Sequence, residues 1–155
     1  MTTKFINIAL IAALCSGTAL FAGHKETDKL ITEAKKEAGE MTPKQLKAML
    51  DKEEPVMILD VRESEQRAEG QIYADNTFEI TRGNLEFEIL NKIKDKDAVI
   101  VTYCRRGSRG ALAAQTLRHL GYKNATSLKG GLQGWAQAGY PIETGLGVTK
   151  LTGEE

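Results

Sequence analysis

Two continuous apolar runs constrain the fold of this 155-residue chain more than any other feature. Residues 56–61 and 98–103 are dominated by aliphatic side chains, as in strands that are buried on both faces of a parallel sheet. Helix-like segments alternate with the strands, and they cover residues 43–50, 63–69, 85–93, 110–120 and 132–138. This alternation predicts an α/β fold with a small parallel β-sheet of about five strands, flanked by helices on both faces.

The N-terminal segment has the pattern of a secretory signal peptide. Lys4 provides a positive start, residues 5–14 are apolar, and small residues follow them. A cut after Ala19 or Ala22 fits this pattern, and we assign residues 1–22 to the signal. The apolar run is short for a membrane span, which needs about 20 apolar residues. We therefore predict a periplasmic or secreted protein with no stable membrane span after cleavage.

The rest of the chain divides into a tether, one domain and a tail. Residues 23–40 are polar and charged, and they predict a solvated helical tether. Residues 41–145 have the length of one domain, and residues 146–155 predict a loose tail. The formal net charge of +0 at pH 7 gives no indication of nucleic-acid binding. Once Cys15 has left with the signal, Cys104 is the single cysteine, so no internal disulfide can form.

The segment Cys-Arg-Arg-Gly-Ser-Arg at 104–109 carries the clearest chemical signal. It joins the strand at 98–103 to the helix at 110–120, so it lies at the carboxyl end of a parallel strand, where such sheets bind ligands. Helix N-termini and nearby cations stabilise a thiolate, and a glycine allows successive N–H groups to converge on the sulfur. We predict that Cys104 is a nucleophile. The predicted anion-binding residues are Arg105, Arg106, Gly107, Ser108 and Arg109.

The three arginines of this loop have different predicted positions. Arg105 and Arg106 are expected at the mouth of the site, where one meets the ligand and the other meets solvent or a carboxylate. Arg109 enters the helix and can turn back towards the pocket. The competing interpretation is an inert cysteine buried at a strand end, with the arginines as ordinary surface charge. The concentration of arginines beside the thiol makes that interpretation the weaker one.

Several motifs between about Met41 and Gly145 together resemble the single-domain rhodaneses, which are sulfurtransferases of the rhodanese-like superfamily. The motifs are Leu59-Asp60-Val61-Arg62-Glu63, Gly70-Gln71-Ile72, Cys104-Arg105-Arg106-Gly107-Ser108-Arg109, Leu117-x-x-Leu120-Gly121-Tyr122 and Leu128-x-Gly130-Gly131-x-x-x-Trp135-x-x-x-Gly139-x-Pro141. One departure lies at residues 71–75, where the family often has His-Ile-Pro-Gly-Ala. This departure concerns the local turn rather than the chemistry.

The resemblance implies a two-step sulfur transfer through Cys104. The thiolate attacks the sulfane sulfur of a small anionic donor such as thiosulfate or polysulfide, and a cysteine persulfide forms. A thiol, a protein thiol or cyanide then accepts the sulfur. The resemblance implies no cofactor and no metal. Pairing of two copies through exposed helices is compatible with such a domain, although nothing in the sequence requires it.

The resemblance implies roles for three further residues. Asp60 and Arg62 resemble a pair near the floor of the family's active site, and a buried ion pair that shapes the loop is the favoured role. Arg82 begins the segment Arg82-Gly83-x-Leu85-Glu86, which resembles a segment beside the pocket in several rhodanese-like proteins, polysulfide sulfurtransferases among them. Arg82 is therefore expected either to bind the donor or to cap helix carbonyls.

Two other functions remain as alternatives. The first is a carrier module that holds a persulfide or an anion for a partner without turnover. The second is a cysteine-dependent phosphatase, a class that uses Cys-x5-Arg, whereas this chain has Cys104-x4-Arg109 with Gly110 at the position of the phosphatase arginine. A tighter ring of N–H groups suits one sulfur better than a phosphate, so the phosphatase is the least favoured function.

Overall fold

The computed structural model describes residues 22–150. The helices are Ala22–Ala38 (α1), Pro43–Asp51 (α2), Ser64–Arg67 (α3), Leu85–Lys92 (α4), Ser108–His119 (α5) and Gly131–Gln137 (α6). The strands are Glu40–Met41 (β1), Met57–Asp60 (β2), Gln71–Ile72 (β3), Thr77–Glu79 (β4), Val99–Tyr103 (β5), Asn124–Leu128 (β6), Ile142–Thr144 (β7) and Gly147–Thr149 (β8). The predicted signal peptide, with Cys15, lies outside the described residues except for its last position.

The main sheet is parallel, with the strand order β1-β6-β5-β2-β4. Successive residues of a strand point to opposite faces. Leu59 and Ile100 therefore enter one apolar cluster, with α4 and α5, while Ile58 and Val101 enter the other, with α2 and α6. The predicted five-strand parallel sheet with helices on both faces is confirmed.

Two segments outside this sheet differ from the sequence expectations. Within the predicted tether, the end of α1 packs against α5: Ala34 and Ala38 are buried, and Glu37 accepts a 2.7 Å hydrogen bond from Gln115. Within the predicted tail, residues 147–149 form β8, which pairs with β7 and extends a small antiparallel sheet of order β3-β7-β8.

None of the helices in residues 22–150 is both long enough and apolar enough to cross a bilayer.

Candidate active site

Cys104 lies directly after β5, at the carboxyl edge of the parallel sheet. The chain turns there into α5, and Gly107 makes the turn in the left-handed conformation, with a φ of 100°. In this geometry the Gly107 N–H donates a hydrogen bond to Cys104 Sγ at 3.2 Å. The thiol is 3% exposed. The loop therefore holds the sulfur against a backbone donor at the N-terminus of a twelve-residue helix.

The first turn of α6 is hydrogen-bonded to the backbone of the Cys104 loop. The N–H of Leu132 donates to the Cys104 carbonyl at 2.8 Å, and the N–H of Gln133 donates to the Arg105 carbonyl at 3.0 Å. Gly131 permits this approach, because a Cβ there would lie 2.3 Å from the Cys104 oxygen and 2.8 Å from the Gly107 nitrogen. In the sequence, Gly131 is recognisable only as part of a motif; the double glycine after β6 is the one sign of this role.

A shallow cavity of about 300 Å³ opens over the thiol. Its lining consists of Cys104, Arg105, Arg106, Ser108 and Arg109. The structure therefore brings together the residues predicted from the loop sequence, with Gly107 buried beneath them.

The three arginines of the cavity have different partners. Arg105 Nε lies 3.2 Å from Glu69 Oε2 in an ion pair. Arg109 Nη2 donates a 2.6 Å hydrogen bond to the neutral side chain of Gln66. Within residues 22–150, Arg106 has no hydrogen-bond or ion-pair partner, and its side chain is exposed. One mouth arginine thus meets a carboxylate and the other meets solvent, which leaves Arg106 as a cation open to a ligand.

A buried ion pair organises the segment that carries Gln66 and Glu69. Asp60 and Arg62 are both fully buried, and Arg62 Nη2 lies 2.6 Å from Asp60 Oδ2. Arg62 also donates to the carbonyl of Gln66 at 3.0 Å and to that of Gly70 at 2.7 Å. The predicted pair is present; it holds the backbone of the segment from Gln66 to Gly70, and neither side chain lines the cavity.

The buried side chains of Arg62 and Tyr103 each keep one protonation state at physiological pH. Burial alone would lower the pKa of Arg62, but the hydrogen bond and charge of Asp60 outweigh burial and raise it. Burial, followed by the nearby Asp60 carboxylate, raises the pKa of Tyr103 well above its usual range. The Arg62 guanidinium carbon lies 5.5 Å from the centre of the Tyr103 ring. At physiological pH the arginine is therefore charged and the phenol is neutral.

Arg82, for which donor binding and capping of helix carbonyls were both expected, is held by side chains of α4 and α5. Its Nη1 is 3.0 Å from Glu86 Oε1, and its Nη2 donates to Thr116 Oγ1 at 2.8 Å. Thr116 is in the third turn of α5, about 12 Å along the helix from Ser108. Since Glu86 and Thr116 satisfy its guanidinium, Arg82 joins α4 to α5 and is absent from the lining of the cavity.

The parallel sheet with helices on both faces, and the thiol at its carboxyl edge, define an α/β protein with a candidate cysteine nucleophile. The model of the rhodanese-like domain family matches residues 42–138, and the chain belongs to that family. This match confirms the resemblance on which the sequence analysis relied.

Relatives of known or suggested function share most of the domain. The thiosulfate sulfurtransferase GlpE of Actinobacillus succinogenes is 33% identical over 112 residues, which cover 72% of this chain and 96% of that protein. The structure of the polysulfide-sulfur transferase homodimer of Wolinella succinogenes is 27% identical, with a TM-score of 0.66 and coverage of 79% of this chain and 89% of that one. A protein of unknown function from Rhodopseudomonas palustris, described as a possible tyrosine phosphatase, is 30% identical with a TM-score of 0.66, covering 76% of this chain and 93% of that one. The first two of these relatives support a rhodanese-type sulfurtransferase.

Proposed function

We propose that the protein transfers a sulfane sulfur from thiosulfate or polysulfide to a thiol or to cyanide through a persulfide on Cys104. The observation that carries the proposal is the 3.2 Å hydrogen bond from the Gly107 N–H to Cys104 Sγ, at the floor of a cavity lined by three arginines. A backbone donor and cations stabilise negative charge on sulfur, and the same cations attract an anionic donor.

In the first half-reaction, the Cys104 thiolate attacks the outer sulfur of thiosulfate. A bond forms between Sγ and that sulfur while the sulfur–sulfur bond of thiosulfate breaks, and its electron pair leaves with sulfite. The total charge of three minus is conserved, because a thiolate and a dianion become a persulfide anion and sulfite. Arg106 and Arg109 are the proposed partners of the sulfite oxygens, since no carboxylate among the described residues neutralises them.

In the second half-reaction, an acceptor removes the outer sulfur of the persulfide. A thiolate or cyanide attacks that sulfur, and the electron pair of the breaking bond returns to Sγ. The enzyme thus alternates between two covalent states, so ping-pong kinetics are expected. A carrier module without turnover would form the persulfide but release no thiocyanate when cyanide is added.

Mass spectrometry of the intact protein tests the persulfide directly. After incubation with thiosulfate, the wild-type protein is expected to gain the mass of one sulfur atom and to lose it again on addition of cyanide. Cys104→Ser should gain nothing. A folded wild-type protein that gains no sulfur from thiosulfate or polysulfide contradicts the proposal.

A phosphatase is the second candidate, because one structural neighbour is described as a possible tyrosine phosphatase. Position 110 argues against it. A Cβ at Gly110 would lie 3.2 Å from both the Thr102 oxygen and the Tyr103 Cα, so α5 is packed against β5 where a phosphatase would need its arginine. Hydrolysis of an aryl phosphate by the wild-type protein, lost in Cys104→Ser, would favour the phosphatase over the sulfurtransferase.

We also propose a periplasmic or secreted location, on the pattern of residues 1–22. Expression of the full chain followed by cell fractionation and N-terminal sequencing tests it. The expected product begins at Leu20 or Gly23, in the periplasm or the medium. An uncut chain in the cytosol contradicts this location without bearing on the chemistry of Cys104.

A further inference from the structure

One of the three arginines in the cavity already has an anionic partner. The Arg105 guanidinium pairs with the Glu69 carboxylate at 3.2 Å, whereas Arg109 contacts the uncharged amide of Gln66. In the part of the chain that the structure describes, Arg105 is thus the one arginine of this loop paired with a carboxylate. Glu69 stands where the oxygen of an anionic donor could otherwise bind.

Hydrogen bonds on either side of Glu69 fix the course of the backbone that carries this carboxylate. The N–H of Glu69 donates to the Gln66 carbonyl at 3.3 Å. The next residue, Gly70, has a φ of 109° and accepts a 2.7 Å hydrogen bond from the buried guanidinium of Arg62. The Asp60–Arg62 pair therefore determines where the chain leaves α3 and brings Glu69 beside Arg105.

The ion pair is weak enough for a ligand to compete with it. The side chains of Arg105 and Glu69 are 56% and 42% exposed. Solvent-exposed ion pairs contribute little to stability, because water and salt screen them. An anion that enters the cavity can therefore replace Glu69 at Arg105, but the nearby carboxylate still repels it in proportion to the charge of the anion.

We propose that Glu69 determines the charge preference of the cavity, an inference that rests on the proposed sulfurtransferase function. By pairing with Arg105, Glu69 lowers the affinity for dianionic donors such as thiosulfate more than the affinity for monoanionic donors such as thiosulfonates and alkyl persulfides. When sulfite leaves after the first half-reaction, the same carboxylate can return to Arg105, and it thereby favours release of this dianionic product.

The charge-neutral isostere Glu69→Gln gives a quantitative test. Because the Coulomb energy scales with the charge of the ligand, the fold-change for a monoanion is the square root of that for a dianion. From the usual strength of exposed pairs, we expect KM for thiosulfate to fall about three-fold and KM for benzenethiosulfonate about 1.7-fold, with kcat nearly unchanged. The inhibition constant of sulfite, measured in competition with thiosulfate, should fall about three-fold.

Two controls separate this role from a general change in charge or structure. Glu65→Gln removes the same charge from an exposed residue of α3 that has no partner among the described residues, and it should change neither KM. In an Arg105→Gln background, adding Glu69→Gln should still lower KM for the dianion more than KM for the monoanion, because the carboxylate repels the ligand with or without Arg105. Equal fold-changes for both donors in Glu69→Gln, or the same change in Glu65→Gln, would overturn the proposal.

The outcomes also separate this inference from the proposed function. A wild-type protein that takes no sulfur from either donor refutes the sulfurtransferase and the inference with it. If wild type and Glu69→Gln both form the Cys104 persulfide with an unchanged ratio of KM values, the transferase stands and only the role of Glu69 fails. Thermal unfolding of each variant checks that it is folded.

Discussion

Substitution of Gly131 by alanine tests whether the contact of α6 with the Cys104 loop is needed for activity. Gly131 has a φ of 60°, which costs an L-residue roughly 1 kcal/mol. Its new Cβ would also lie 2.3 Å from the Cys104 oxygen and 2.9 Å from the Arg105 carbonyl carbon. Both of these atoms belong to the backbone, so the overlap cannot be relieved by a change of side-chain rotamer.

The overlap forces the start of α6 away from the loop. Such a shift weakens the hydrogen bonds from Leu132 and Gln133, which are 2.8 and 3.0 Å long and contribute about 1 kcal/mol each. Together with the backbone strain, the free energy of unfolding is expected to fall by about 3 kcal/mol. For a domain of this size, that corresponds to a Tm lower by roughly 12 °C.

Gly139→Ala is the matched control. Gly139 has a similar φ of 75°, but no atom lies within 4 Å of where its Cβ would be. It should lower the free energy of unfolding by only about 1 kcal/mol and leave sulfur transfer intact.

The two variants are compared by calorimetry and by thiocyanate formation from thiosulfate and cyanide. We expect Gly131→Ala to lose about 100-fold in kcat/KM below its unfolding temperature, because a displacement of about 1 Å in a catalytic loop has an effect of that size. If Gly131→Ala and Gly139→Ala prove equally stable and equally active, the argument that α6 positions the nucleophile is refuted.

Three further substitutions probe the support of the site. Asp60→Asn leaves the Arg62 charge buried without its counter-ion, so calorimetry should show about 3–5 kcal/mol less stability; an unchanged Tm would contradict the role of the pair. The hydrogen bond from Gln115 lowers the pKa of Glu37 below its ordinary 4.5, so its stabilising effect is present above that pH and is lost as the pH falls through the lower, folded-state value. The protection factors of the α1 amides, corrected for the pH dependence of intrinsic exchange, should accordingly fall in acid, and Glu37→Gln should abolish this fall; an equal loss of protection in both proteins would refute it. Arg82→Ala should leave KM for polysulfide unchanged and cost at most about 1 kcal/mol, whereas a several-fold rise in KM would restore Arg82 to the donor site.

The fold followed from the sequence where burial produces a long apolar run. The central strands β2 and β5 have that pattern, since both of their faces are covered. The edge strand β1 contains only Glu40 and Met41, and β8 is exposed along its length. Neither strand therefore has the apolar run or the alternation of apolar and polar residues from which a strand is predicted. Phe87 is apolar but 79% exposed, because it lies two residues after the buried Leu85 and therefore on the opposite side of α4.

The candidate site followed from the sequence where its residues are contiguous. One loop supplies the thiol and the three arginines, so their spacing alone brought them together. Gln66, Glu69 and Gly131 come from other segments, and their contacts with the loop depend on how α3 and α6 pack. For Arg82 the resemblance suggested proximity to the pocket, but its side chain extends along α5 to Thr116.

The close packing of Gly110 against β5 limits how this loop can change in evolution. One inserted residue between Cys104 and Ser108 would turn every later position of α5 by about 100° about the helix axis if the helix stayed in place. Ala113 and Leu117, which are fully buried, would then leave the apolar interface with the sheet. A wider loop is therefore compatible with this packing only if the added residue stays within the loop and α5 keeps its present register against β5.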